Sequence, residues 1–233
     1  MAQFGAMLRL SNGNLFLTPD ATPFCLYTRQ SVWCPATENT SAYITVPQNK
    51  PVMAFVRTDR VGVTARVWRH NDTQLLCAFG RDTTAGYTAT VYVFAIFPQT
   101  LPKWGMAIWN ASGELVLTNE SIILTDLKTI GTAGSSGGYN IDTSLSGAWA
   151  VVPTTLGATA GMGAGELLSA AYYNGSTTRF YAVNASQSGT IAYNHGNPMI
   201  AVNTSVYDSV NPPSAASLEP EDDIFRVVYS PVS

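Results

Sequence analysis

A fifteen-residue pattern occurs twice in this 233-residue chain, at residues 4–18 (FGAMLRLSNGNLFLT) and 104–118 (WGMAIWNASGELVLT), and the two copies align without a gap. Gly5, Gly13, Leu15, Leu17 and Thr18 recur as Gly105, Gly113, Leu115, Leu117 and Thr118, and the apolar Phe4, Leu8 and Phe16 are matched by Trp104, Ile108 and Val116. Side chains alternate across a strand. Phe4, Ala6 and Leu8 therefore share one face, as do Trp104, Met106 and Ile108, and Leu15 and Leu17 or Leu115 and Leu117 return to it. Each copy reads as a β-hairpin with that face toward a core. Gly13 and Gly113 hold the last turn position in both, where a short loop needs a residue at positive φ.

Strand-length apolar runs continue at 24–27, 42–46, 52–57, 61–70, 75–79, 88–97 and 122–124, with turn signals every 8 to 12 residues or so, the spacing of a sandwich or barrel. Thr88–Phe97 (TATVYVFAIF) is apolar on both faces and is expected to be a central strand covered on both sides. In 61–70, Val61, Val63, Ala65 and Val67 fall on one face and Thr64, Arg66, Trp68 and His70 on the other, so one side is core and the other mixes cation, aromatic and imidazole. Residues 31–42, with Trp33, Cys34 and Pro35, read as a long loop and a first candidate contact surface.

At 129–140 (TIGTAGSSGGYN) the composition turns to glycine and serine. Short apolar runs then recur at 148–152, 167–173, 179–183, 190–193 and 199–202, with a hairpin turn at Tyr173-Asn174-Gly175-Ser176 and a closing strand at 224–229 that is expected to pair back into a sheet. No segment keeps a helical period with caps. The expected fold is all-β: antiparallel β-sandwiches with hairpins, long loops and little helix. An N-terminal sandwich over 1–127, a Gly/Ser-rich linker or loop over 128–140 and a C-terminal β-rich domain over 141–233 are expected, and one continuous sandwich with the glycine stretch as a surface loop stays open.

The hairpin pattern carries a family resemblance. An aromatic-Gly-apolar strand, a small polar turn with glycine and then Leu-x-Leu-Thr, as in WGMAIWNASGELVLTNES, resembles a recurring hairpin of tail-associated structural proteins of tailed bacteriophages, of the tail-tip and tail-fibre kind. The resemblance covers the N-terminal half and contains no chemistry. It implies a virion protein of the tail, assembled in the host bacterial cytoplasm, with other phage tail proteins as partners. It also implies a homo-oligomer, with a trimer favoured, and a contact with a host cell-surface receptor.

Charged residues are 12% of the chain against 46% apolar, about half the roughly 25% charged share of ordinary soluble domains, so the surface is polar but weakly charged. A net charge of −3 argues against phosphate-backbone binding, and no nucleic-acid partner is expected. Cys25, Cys34 and Cys77 are too few and too unevenly spaced for a disulfide framework or a zinc site; buried thiols are the expectation, with a Cys25–Cys34 bridge left open. No run reaches the roughly 18 apolar residues of a membrane-crossing helix. MAQFGAMLRL lacks the layout of a secretory signal, so synthesis and retention in a cytoplasm until release are expected.

Motifs for chemistry fail their context. Gly134-Ser135-Ser136-Gly137-Gly138 matches G-x-S-x-G in letters but sits in a flexible run with no helix-forming residues after it. Gly161-Met162-Gly163-Ala164-Gly165 lacks the lysine of a phosphate loop. His70 and His195 have no second ligand at metal spacing, and nothing in the sequence pairs the acids for glycoside cleavage. No catalytic residue, metal or cofactor is therefore assigned. Candidate partner or receptor surface residues are Trp33, Arg66, Trp68, His70, Tyr172 and Tyr173, aromatics and cations on predicted outer faces and loops. Five of the twelve basic residues, Arg57, Arg60, Arg66, Arg69 and Arg81, crowd the same region, and cross-strand pairing with Thr, Asp and aromatic neighbours on an exposed sheet face is the favoured reading of that excess. A lectin-like sandwich that binds a bacterial surface glycan is the alternative, with Trp33, Trp68, Tyr172 and Tyr173 as its aromatic contacts.

Overall fold

The structure is a computed structural model that describes residues 22–110, 112–135, 137–159, 164–186 and 196–210, together with the backbone of four short strands outside them. In chain order the strands are β1 (Leu8–Arg9), β2 (Leu15–Leu17), β3 (Cys25–Cys34), β4 (Thr40–Thr45), β5 (Val52–Thr58), β6 (Ala65–Asn71), β7 (Gln74–Phe79), β8 (Tyr87–Ala95), β9 (Gly105–Trp109) and β10 (Leu115–Thr118). The second half adds β11 (Leu127–Ile130), β12 (Thr132–Ala133), β13 (Tyr139–Asn140), β14 (Thr143–Ser146), β15 (Trp149–Val151), β16 (Thr155–Thr159), β17 (Gly165–Tyr173), β18 (Thr177–Asn184), β19 (Ile191–Ala192), β20 (Met199–Asn203) and β21 (Ile224–Val227). One helical turn, α1 (Ser205–Asp208), is the only helix among the described residues. The chain is all-β, as its periodicity predicts.

Eleven strands join in one sheet. Its main path runs β11-β20-β15-β5-β17-β18-β14, with β8 and then β3 on the other edge of β5, β16 on β17 and β19 on β18. β5 is the junction: it pairs antiparallel with β8 over its whole length, while its opposite edge meets β15 at Val56↔Val151 and β17, in parallel, at Thr58↔Tyr172. The sheet thus crosses the 128–140 boundary that composition suggested. That stretch is itself folded: β11 extends the large sheet, and β12 and β13 close a small hairpin through Gly134 N–H to Gly138 C=O.

A second sheet, β4-β7-β6, lies over one face of β3-β8-β5. Between them Ile44, Val56, Leu75, Cys77, Phe79, Val91 and Val93 form the first core. The other face of the same strands carries Leu26, Phe55, Tyr92 and Phe94, which pack against Ala150, Val202 and Tyr207. β8 is therefore covered on both sides, as its uninterrupted apolar run predicts. A third cluster around Trp149, Leu156, Leu167, Phe180 and Met199 fills the second half. Cys25 and Cys34 are free, buried thiols. They stand at opposite ends of ten-residue β3, about 30 Å apart at 3.3 Å per residue, which rules out a bridge between them.

The duplicated hairpin is duplicated in pairing as well. Leu8 faces Leu17 and Arg9 faces Leu15 in the first copy; Ile108 faces Leu117 and Trp109 faces Leu115 in the second, so the bulge falls at residue 16 and again at 116. Gly113 sits at φ +79 in the second turn, where its N–H donates to Asn110 C=O. Its counterpart Gly13 lies outside the described residues. β21 lies parallel on β9, Ile224 opposite Gly105.

Four expectations are corrected. Residues 31–34 belong to β3, and only 35–39 turn, because Pro35 stops the ladder. Val61 lies in a turn, not on a strand, since Gly62 takes φ +81 there. Trp104 and Met106 are exposed where the hairpin face was expected to be core; Gly105, at φ +120 against the Asn119 side chain, breaks the alternation, and the core under this hairpin begins at Ile108. The parallel β5/β17 and β9/β21 contacts depart from a purely antiparallel pattern.

Phe94 is fully buried and meets Phe55 and Tyr207 edge-on. Phe94→Ala is expected to lower unfolding free energy by about 3–5 kcal/mol. In urea titrations, tryptophan fluorescence and far-ultraviolet circular dichroism should shift together, since the sheet through β5 joins both halves.

Candidate functional site

Five of the six candidate residues fall on two surfaces. The first is the outer face of β4-β7-β6. Tyr43 on β4 and Trp68 on β6 both stand opposite Leu76 on β7, which makes a Tyr-Leu-Trp row across three strands, its ends about 9–10 Å apart by strand spacing. The row is open: Tyr43 is 55% and Trp68 45% exposed. His70 leans edge-on against Tyr43 at 5.0 Å. Arg66, two residues from Trp68 on β6, reaches Glu166 on β17 at 2.6 Å. Both of those side chains are about half exposed, so this pair contributes about 0–1 kcal/mol.

Beside Trp68 a cavity of about 380 Å³ opens between the sheets, walled by Val52, Met53 and Ala54 of β5, by Val67 and by Val152-Pro153. It opens there because β15 stops pairing with β5 beyond Val151; Pro153 has no N–H to offer the ladder. Arg69 closes one end by donating to the carbonyls of Lys50 and Asp72.

The second surface is on the large sheet. Arg29, Ser31 and Trp33 stand opposite Tyr92, Thr90 and Thr88 of β8, and Arg57 on β5 also stands opposite Thr90, so these side chains share the face that holds Tyr92 and Phe94. Trp33 is 64% exposed, its indole edge lying over Gly86, where a Cβ would meet it at 2.5 Å. Tyr173 comes to this face too, its ring 4.8 Å from the Arg57 guanidinium. Tyr172 points the other way and packs on Ala170, Tyr181 and Val183. Tyr172 is thus a packing residue, because neighbours on one strand face opposite sides.

Below Tyr173 lies a polar cluster that sequence reading missed. Arg57 donates to both oxygens of Asp208 at 3.0 and 3.3 Å and to Thr204 Oγ1 at 2.8 Å, and the Tyr92 hydroxyl donates to Asp208 Oδ1 at 2.5 Å. Burial pushes the Tyr92 phenol well above its usual range, so it stays a donor at neutral pH. The cluster fastens α1 onto the face of β5 and β8. Tyr207 completes the fastening: its hydroxyl donates to Ile123 C=O and accepts from Thr125 N–H, while its own C=O accepts from Arg29. Residues 151 positions apart meet in the Arg57–Asp208 pair, and nothing local in the sequence marks it.

The basic crowding is also resolved. Besides Arg57, Arg66 and Arg69, Arg60 pairs with Asp82 and Thr84, and Arg81 donates to Thr37 C=O. All five guanidinium groups serve the fold. Burial holds the Cys25 and Cys77 thiols up at about 12, which leaves them protonated and unreactive. No group of three or more metal-ligating side chains converges among the described residues. His195, Gly13, Ser136 and residues 161–163 lie outside them. No family model matches the chain, and neither a curated protein nor a solved structure matches it.

Arg57→Met strands Asp208 beside Tyr92 and is expected to cost about 2–4 kcal/mol, with Asp208→Asn in the same chain restoring part of it; urea unfolding of both variants measures this. Asp82 gives a pH prediction. Its carboxyl is held down to about 2 by the Thr84 hydroxyl, then by the Thr84 N–H and the Arg60 guanidinium, with partial burial opposing. Its folded value lies below the ordinary 3.8, so its contribution to stability is complete above that value and is lost as pH falls toward 2. A carboxyl-carbon NMR titration should find the low value, and Asp82→Asn should flatten the stability profile across that window.

Proposed function

We propose that the protein is a structural subunit of a bacteriophage tail, a tail-tip or fibre-associated component that works by joining other tail proteins as a homo-oligomer. It is assembled in the host cytoplasm and carried in the virion. The observation that supports this is the repeated hairpin: the pattern behind the tail-protein resemblance occurs twice with the same register and the same bulge. A bulge that recurs one hundred positions later marks a duplicated building unit, since bulges are kept features of strand pairing. Exposed aromatics such as Trp33, Trp68 and Trp104 are the residue types that anchor protein interfaces.

A second reading rests on a different observation, the Tyr43-Leu76-Trp68 row with His70 at its end. Flat aromatics with an imidazole beside them suit the apolar faces and hydroxyls of sugar rings. On this reading the outer face of β4-β7-β6 binds a bacterial surface glycan, the host receptor.

Tails purified on a density gradient from infected cells are expected to carry the chain in stoichiometric amount, with gold-labelled antibody marking the tail tip in electron micrographs. Recovery of the chain only in free lysate or in heads would end the tail reading. Binding of the isolated chain on a glycan array, abolished by Trp68→Ala, is what the second reading requires; a blank array sinks it.

A further inference from the structure

Among the described residues β3 has one edge on β8 and one edge open. The open edge is occupied at its start, where Leu26 N–H donates to Ile122 C=O and Cys25 bridges Ile123, and beyond that point no described strand pairs with it. Which groups face outward follows from the ladder. Ile96 N–H donates to Pro51 C=O and Asp59 N–H to Thr88 C=O, so the even-numbered residues of β8 bond toward β5 and the odd-numbered ones toward β3. The partners of those odd residues are Thr28, Gln30, Val32 and Cys34. Arg29, Ser31 and Trp33 are left with N–H and C=O pointing away from the sheet.

These three positions are self-complementary. In an antiparallel pairing of two β3 strands about Ser31, Ser31 meets its own copy on the two-fold axis, and Arg29 of each chain stands opposite Trp33 of the other. Each of the three pairs exchanges two main-chain hydrogen bonds. Side chains opposite each other lie on the same face, so each exposed indole meets a guanidinium that Tyr207 C=O already holds in place. The edge also lacks the devices that normally block such contact: between Thr28 and Cys34 there is no proline and no lysine, and the one charge, Arg29, is anchored.

We propose that β3 is a homotypic interface, through which two copies of this chain join their large sheets edge to edge about a two-fold axis at Ser31. The interface is isologous. It goes beyond the tail reading and stands without it, and together with a three-fold contact it would build an assembly with dihedral symmetry. One strand pair buries less than the roughly 1,200–2,000 Å² of a tight complex, so the association is concentration-dependent.

Light scattering on the full chain across a wide concentration series is expected to show a monomer-to-dimer shift, or even-numbered species only. Ser31→Lys, which sets like charges face to face on the axis, should remove it without changing the thermal melt, since Ser31 is exposed. Ser31→Asp should do the same, and mixing the two variants should restore a one-to-one dimer. Trp33→Ala should weaken association about tenfold, through loss of two cation–π contacts. A wild-type chain that stays monomeric at every concentration, a trimer as the only assembly, or Ser31→Lys associating like wild type would each overturn the proposal.

Discussion

The constraint that organises this molecule is the burial of β8 on both faces. A strand with Val91 and Val93 in one core and Tyr92 and Phe94 in another must satisfy all its main-chain groups from strands at its two edges, because no water reaches them. β3 and β5 do this. Once β5 is in place, its far edge carries the same requirement, and β15 and β17 meet it from the second half of the chain. The continuity of the sheet across a glycine-rich stretch follows from this chain of obligations.

Two details limit how far the obligation spreads. Pro153 cannot donate, so the pairing along β5 stops and a cavity opens beside Trp68. The Arg57–Asp208–Tyr92 cluster then closes the face that α1 covers. It is a charged pair in a mostly enclosed place, with Thr204 and Tyr92 supplying the remaining hydrogen bonds, which is the condition under which such a pair is tolerated. Fold and surface are thus coupled: the residue that carries the buried pair, Arg57, also positions Tyr173 on the open face.

Function, as proposed, resides in edges and faces left unpaired. The outer face of β4-β7-β6 and the free edge of β3 offer different chemistry, an aromatic row in one case and main-chain donors and acceptors in the other. The duplicated hairpin adds a third kind of feature, a unit used twice, and only its second copy has a further strand, β21, among the described residues. An assembly protein needs several separate contacts of this sort, and a weakly charged surface lets subunits approach closely.

Period-two alternation was enough to read the all-β class, most strand positions, the inward and outward faces of β6 and the enclosed nature of β8, because these depend on neighbours in the chain. The repeated hairpin was legible for the same reason, down to the glycine of its second turn. What alternation does not contain is which strand lies beside which: Trp33 read as a loop residue, Tyr172 and Tyr173 read as one surface, and the five crowded arginines read as paired without their partners being named, whereas the tertiary structure put Trp33 on an edge, split the tyrosines between faces and named a partner for each of those five guanidinium groups. Those outcomes were decided by contacts between residues far apart in the chain, where hydrogen bonds and charge pairing become strong only after folding has excluded water from around them.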